Sequence, residues 1–116
     1  MKLLSQSIIN QLARNGEVSD KDPSFDPSPV VKLFTPWAGA TWLLGWTEPQ
    51  DPDIAFGLCD LGLGFAELGT VRISEIASLV GPFGLKAERD LHWTPVGTLG
   101  AYAKASYPEG RIVEPD

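Results

Sequence analysis

Residues 41–60, TWLLGWTEPQDPDIAFGLCD, carry the alternation on which the predicted fold depends. In the runs 41–47 and 54–60, larger side chains alternate with smaller or more polar ones from each residue to the next. Successive side chains of a strand point to opposite faces of a sheet, so this period is typical of strands. Pro49 and Pro52 lie between the runs, and proline cannot donate to a central ladder. The stretch therefore predicts a β-hairpin whose strands are joined by the polar loop EPQDPD.

The alternation also assigns side chains to faces. Each run places its bulky side chains on one face, and the second run places only small groups on the other. A face built of small groups suits close packing of a helix or of another backbone. The predicted bulky faces are Trp42, Leu44 and Trp46 in the first run and Ile54, Phe56 and Leu58 in the second; the small face is Ala55, Gly57 and Cys59.

Apolar residues at helical spacing flank the hairpin on both sides. They predict a helix over residues 3–14 that ends at Asn15-Gly16, and a helix over residues 98–107 with Thr98 as its cap. A short third helix is predicted between these two, because a serine and a glutamate precede apolar residues at helical spacing and a Gly-Pro pair follows them. Its predicted cap and end are Ser74 and Gly81-Pro82.

The remaining segments predict strands and loops, which together define an α+β fold. Three more alternating runs predict strands, whereas a polar, proline-rich segment predicts a loop; the strands are at 30–34, 70–73 and 85–93 and the loop at 17–29. We expect a mainly antiparallel sheet of four or five strands with two or three flanking helices. The chain is expected to be a single domain over 1–116, with an amino-terminal helix and loop (1–29), a core (30–107) and a frayed tail (108–116).

Composition narrows the classes of function. The chain has 116 residues, 43% of them hydrophobic, with one cysteine and a net charge of −6. Clustered Lys and Arg are absent from the sequence, which argues against direct nucleic-acid binding. No apolar run approaches a membrane span, and the lone cysteine fits a reducing compartment, so we expect a cytoplasmic location. An acidic balance favours solubility and also suits a protein that occupies a basic partner.

One set of side chains has the chemistry of a site. If residues 85–93 form a strand, Glu88, Asp90 and His92 share one face. A carboxylate beside an imidazole can orient it, raise its basicity or share a metal ion with it. A solvated cluster on a wet sheet face gives the same pattern, so we assign no catalytic residue, no metal and no cofactor. Cys59 could meet His92 in space, but it is predicted to be a small core residue.

Two other features have simple interpretations. The glycines of residues 61–69 lack the third glycine of GxGxxG, because Glu67 occupies that position, so they predict a turn rather than a phosphate-binding loop. Trp37 follows a proline beside a turn and is the tryptophan expected at the surface. We predict Trp37 as a partner-binding residue, together with the acidic residues Asp51 and Asp53 of the predicted polar loop.

The strings GLCDLG (57–62) and ERDLHW (88–93) resemble a bacterial family of unknown function that is carried on plasmids, phages and other mobile elements. The resemblance covers residues 32–93 and 99–103, and it departs at Trp37, where the family pattern has an acidic or polar residue. It implies a mobile-element setting near DNA-processing or antirestriction genes and a cytoplasmic location. It supplies no catalytic residues.

Three functions follow as hypotheses. The first is a non-enzymatic interaction protein of a mobile element, an inhibitor of a host defence or DNA-processing complex that acts through an acidic surface. The second is a small metal-dependent hydrolase that uses Glu88, Asp90 and His92. The third is a module that holds a nucleotide-like ligand between the hairpin and Trp93.

Overall fold

A computed structural model describes residues 2–116 and has the predicted α+β architecture. Five strands form one antiparallel sheet in the order β4-β3-β2-β1-β5, so the hairpin β2–β3 lies at its centre. The elements are α1 (Gln6–Lys21), β1 (Val31–Phe34), β2 (Thr41–Glu48), β3 (Asp51–Asp60), β4 (Ala66–Arg72), α2 (Ile73–Ser78), β5 (Glu88–Arg89) and α3 (Leu99–Ser106), with 3₁₀ turns at Pro82–Gly84 and Tyr107–Glu109.

The hairpin is confirmed, but its connection is shorter than the predicted loop. Glu48 pairs with Asp51, so only Pro49 and Gln50 lie between the strands and β3 runs through Pro52. Asp51 and Asp53 therefore belong to a strand rather than to a loop. The proline is tolerated in β3 because it comes at the exposed start of the strand, where a missing donor costs little.

A register shift between Leu44 and Trp46 corrects the predicted faces of β2. The irregularity at Gly45 inserts one residue, and a one-residue insertion sends every later side chain to the other face. Trp42 and Leu44 lie on one face as predicted, whereas Trp46 lies on the other and stacks on Phe56 with 4.5 Å between ring centroids.

The sheet has a core on each face. On the first face α1 and α2 cover the strands, and the residues buried there include Leu12, Leu33, Trp42, Leu44 and Ile76. On the second face α3 and the carboxyl-terminal segment cover them, and the residues buried there include Leu43, Leu58, Leu99, Tyr102 and Ala103. Full burial of a large apolar side chain contributes about 1.5–3 kcal/mol, so both layers are needed to hold the sheet.

Helix α1 does not end at Asn15-Gly16 but continues to Lys21. Ser5 caps its start by accepting a hydrogen bond from the Ile8 amide at 3.3 Å. Asn15 and Gly16 lie inside the helix and are buried, because Asn15 donates its Nδ2 to the Gly45 carbonyl at 3.0 Å. The pair expected to stop the helix is thus the pair that attaches it to β2.

The predicted strand over residues 85–93 is reduced to Glu88–Arg89 at the sheet edge. Asp90 ends it, because its carboxylate accepts a hydrogen bond from the His92 amide at 3.0 Å and so turns the chain away from β1. Leu91 is 62% exposed. Trp93 is half-buried and packs against the second core.

Three further predictions have clear outcomes. Helix α3 and its cap are confirmed, since the Thr98 hydroxyl accepts from the Ala101 amide at 3.1 Å. Strand β4 is longer than predicted and includes Gly69. The tail is packed rather than frayed, because Ile112 joins the second core and Glu114 bonds to Tyr102.

Candidate functional site

Glu88, Asp90 and His92 do not form a metal-binding group in the part of the chain that the structure describes. Glu88 and His92 are exposed, and the Asp90 carboxylate is used by the backbone turn and lies 3.9 Å from the Lys32 ammonium. Within residues 2–116 no hydrogen bond joins the His92 ring to either carboxylate, and no three His, Cys, Asp or Glu side chains are placed to hold a metal ion. These residues line a shallow depression beside Phe34 and Leu91.

Cys59 lies half-buried in β3, between its neighbours Trp42 and Glu67 on the adjacent strands. Burial raises the pKa of the thiol, and the negative charge of Glu67 raises it further, so the reactive thiolate is disfavoured. Cys59 lies in β3, which is separated from β5 by three strand spacings of about 4.8 Å each. His92 follows β5 in the chain, so Cys59 and His92 do not form a pair.

Trp93 packs against the second core, where its contacts are with Tyr102 and Glu114. Its ring lies 6.0 Å from that of Tyr102, and its Nε1 donates to the Glu114 carboxylate at 3.2 Å. The Tyr102 hydroxyl accepts from the Val96 amide and donates to Glu114. Burial, followed by the Glu114 carboxylate, raises the pKa of Tyr102, so the hydroxyl keeps its proton. These contacts close the second core.

Asp51 and Asp53 take part in a network at the start of α2. Asp53 accepts hydrogen bonds from the Ser74 amide at 2.9 Å and the Ser74 hydroxyl at 2.6 Å. Arg72 Nη1 lies 3.1 Å from Asp51 and 3.6 Å from Asp53. Asp53 therefore caps the helix from the neighbouring strand, in place of the predicted cap Ser74, and negative charge is favoured there.

The pKa of Asp53 predicts a pH dependence. The Ser74 hydroxyl, followed by the Ser74 amide, lowers the pKa of this carboxyl below its ordinary value of 3.8. A folded-state pKa below the unfolded value gives stability that is present above pH 3.8 and is lost as pH falls through the folded pKa. We expect the Asp53→Asn variant to lose less unfolding free energy than the wild type between neutral pH and about pH 3. Urea denaturation of the variant and the wild type at several pH values measures this difference.

Trp37 is half-buried rather than free at the surface. Its indole lies over Gly81 so closely that a Cβ on Gly81 would be 2.2 Å from Trp37 Cδ2. The ring thus supports the chain that follows α2. Trp37 therefore contacts the chain that follows α2, and its predicted role in partner binding stays a prediction.

Phe83, which the sequence reasoning missed, is the most unusual side chain of the molecule. Its relative exposure is 103%, and its backbone has φ 58° and ψ 24°, a left-handed conformation that L side chains rarely adopt. Pro82 and Gly84 flank it. The signal available in the sequence was a phenylalanine inside the turn Gly-Pro-Phe-Gly, where a polar or small residue is usual.

Other exposed apolar side chains surround Phe83 in the chain. Val80 is 61% exposed, and Leu79 and Leu85 are also exposed. We call residues 79–85 the apolar ridge. Monomeric proteins seldom expose contiguous large apolar groups, and strained backbone persists where function requires it. The ridge therefore has the properties of a contact surface.

The loop between β3 and β4 adds to this surface. It forms the predicted glycine turn, with Gly62 and Gly64 at positive φ, and it exposes Leu61, Leu63 and Phe65. Leu61 and Leu79 line one groove with Trp42, Val71, Glu75 and Ile76, so the loop and the ridge adjoin. We call this the edge groove.

A scan of family models matches residues 3–113 to the family described as "Protein of unknown function (DUF2958)". The chain belongs to this family. No curated protein and no solved structure matches this DUF2958 member. Among residues 2–116, no helix is both long enough and apolar enough to cross a bilayer.

Proposed function

We propose that this DUF2958 protein is a protein-binding module without enzymatic activity, and that the apolar ridge is its contact surface with Phe83 as the anchor. The observation that carries the proposal is the full exposure of Phe83 on a left-handed backbone. Binding hot spots are enriched in aromatic side chains that enter a pocket of the partner. Burial of such a ring contributes about 1.5–3 kcal/mol, whereas the strain that presents it costs about 1–2 kcal/mol.

The remaining parts of the proposal concern the partner and the setting. The net charge of −6 favours a basic partner, since complementary charge raises the rate and the specificity of association. The resemblance to a family carried on mobile elements supports a host defence or DNA-processing complex as that partner, in the cytoplasm. In this proposal Trp37 acts by supporting the ridge, and Asp51 and Asp53 add acidic contacts.

The test separates stability from binding at one position. The Phe83→Gly variant removes a ring that packs on nothing and permits the left-handed backbone. Relief of about 1–2 kcal/mol of strain exceeds the extra unfolded-state entropy of about 0.5–1 kcal/mol. We expect its free energy of unfolding in urea to rise by about 0.5–1 kcal/mol.

The same variant should lose its partner. A photoreactive phenylalanine analogue at position 83, in cells that carry the protein, should give a cross-linked protein that is absent when the analogue is at position 96. Untagged wild type should compete for that product, and Phe83→Gly should not. Val80→Asp is the second binding variant, and Val96→Asp is its matched control, because the two valines are 61% and 65% exposed. Equal competition by the wild type and Phe83→Gly would refute the ridge as the contact surface.

A further inference from the structure

Strand β4 leaves one edge of the sheet open. Its seven residues pair with β3 without interruption, from Ala66 opposite Asp60 to Arg72 opposite Ile54. Within residues 2–116 no other backbone group bonds to β4. Natural proteins block such edges with proline, charged side chains or a bulge; β4 has no proline, lysine or bulge, and its charged side chains are Glu67 and Arg72. The opposite edge, β5, has only two residues, so β4 is the longer template for an added strand.

The edge groove lies beside this strand on the first face of the sheet. Val71 of β4 lines it, together with the apolar groups of Leu61 and Leu79 and the carboxylate-bearing residue Glu75. Gly69 precedes Val71 by two residues and so shares its face, and a Cβ on Gly69 would meet nothing within 4 Å. A side chain from an added strand therefore has apolar space to enter.

Two carboxylates beside the groove take part in no ion pair among residues 2–116, whereas the nearby cation of Arg72 is paired with Asp51 and Asp53. Glu67, on the same face of β4, and Glu75, at the start of α2, are both exposed. The ion pairs of residues 2–116 use Asp51, Asp53 and Asp90 and neither of these glutamates. The edge groove with carboxylates beside it fits a lysine or arginine side chain. The methylene groups of that side chain would pack on the apolar groups, and its cation would pair with a carboxylate.

We infer that β4 binds an extended, basic segment of a partner protein as a sixth strand, with an arginine or lysine of that segment in the edge groove. The inference rests on the proposed function and names the chemistry of the partner. A second copy of this chain is the less favoured occupant, because two chains that each carry a net charge of −6 repel one another.

The probe is a synthetic heptapeptide, acetyl-TVRVRVT-amide, titrated into the full chain labelled with ¹⁵N. We expect amide shift changes in residues 66–72 and 75–79. The matched peptide with glutamate for arginine should bind at least about tenfold more weakly, and the Glu67→Gln, Glu75→Gln double variant should reduce the affinity for the arginine peptide several-fold. Added salt should weaken binding of the arginine peptide to the wild type.

Backbone pairing is tested on the peptide, so that folding of the protein is not at risk. Methylation of alternate amide nitrogens in one register should abolish binding, whereas methylation in the other register should be tolerated, because an edge strand bonds only alternate residues. Shift changes elsewhere, equal binding of the glutamate peptide, or a concentration-dependent dimer through β4 would each overturn the inference. The photoreactive analogue at position 83 can also be placed in the Glu67→Gln, Glu75→Gln double variant. If the cross-linked partner is still formed there, the proposed function stands although this inference fails.

Discussion

The Gly16→Ala variant is expected to lose about 3 kcal/mol or more of its free energy of unfolding. A Cβ at this position would lie 1.8 Å from the carbonyl oxygen of Thr47 and 3.0 Å from its carbonyl carbon. The obstructing atoms are backbone of a central strand and cannot rotate away. The helix must move instead, which breaks the hydrogen bond from Asn15 to Gly45 and disturbs the packing of Leu12.

Helix propensity predicts the opposite result, so the measurement decides between two effects. Alanine in a helix interior is favoured over glycine by about 1 kcal/mol. The steric cost exceeds this gain, because real Cβ atoms essentially never approach another atom as closely as this one would. Gly69→Ala is the matched control, since it adds the same methyl group where nothing lies within 4 Å, and it should leave stability nearly unchanged. Equal urea midpoints for the two variants would contradict close contact between α1 and β2.

The same helix explains why one boundary could not be predicted from the sequence. An Asn-Gly pair after an amphipathic run is a usual helix end, because glycine and asparagine adopt the left-handed conformation of a carboxyl-terminal cap. Here Asn15 and Gly16 are required by their contacts with β2, about 30 residues away in the chain: Asn15 bonds to Gly45, and Gly16 lies against the backbone of Thr47. A local pattern cannot distinguish a glycine needed for its φ angle from one needed for its missing side chain.

The hairpin was predictable because its information is local. Alternation over 41–47 and 54–60 is a property of neighbouring residues, and it survives in β2 and β3. The face of Trp46 was not predictable, because a single irregular residue at Gly45 reverses the alternation beyond it. The strand predicted over 85–93 was wrong for a related reason. The Asp90 carboxylate accepts a hydrogen bond from the amide of His92, two residues later, and this turn ends the strand although the alternating pattern continues.

The candidate surface was the least predictable part. Glu88, Asp90 and His92 were selected by their chemistry, on the assumption of a strand that ends at Arg89. Phe83 was overlooked because a lone phenylalanine in a sequence normally indicates core. The two properties that distinguish Phe83, its exposure and its positive φ, arise only in the folded chain.

The Asp60→Ala variant is expected to lose about 2–4 kcal/mol of unfolding free energy and to release the carboxyl-terminal segment. Asp60 is 6% exposed, and its two oxygens accept from the Gly62 amide at 2.8 Å and the Ile112 amide at 3.1 Å. Alanine leaves the part-buried amides of Gly62 and Ile112 without this acceptor, and an unsatisfied group costs about 1–3 kcal/mol where it is buried from water. The carboxylate therefore joins the β3–β4 turn to the tail that covers the second core.

Hydrogen exchange distinguishes this local role from general destabilisation. Under conditions where the wild type remains folded, the amides of Ile112 and Val113 should exchange much faster in Asp60→Ala, whereas those of β2 should change little. Asp60→Asn keeps one acceptor oxygen and should fall between the two proteins, and Glu67→Ala removes an exposed carboxylate from the adjacent strand and should match the wild type. Faster exchange spread evenly over the sheet would mean that Asp60 supports the whole fold. Faster exchange confined to the tail would mean that the contacts of Ile112 and Glu114 hold the tail in place only when Asp60 accepts the Ile112 amide.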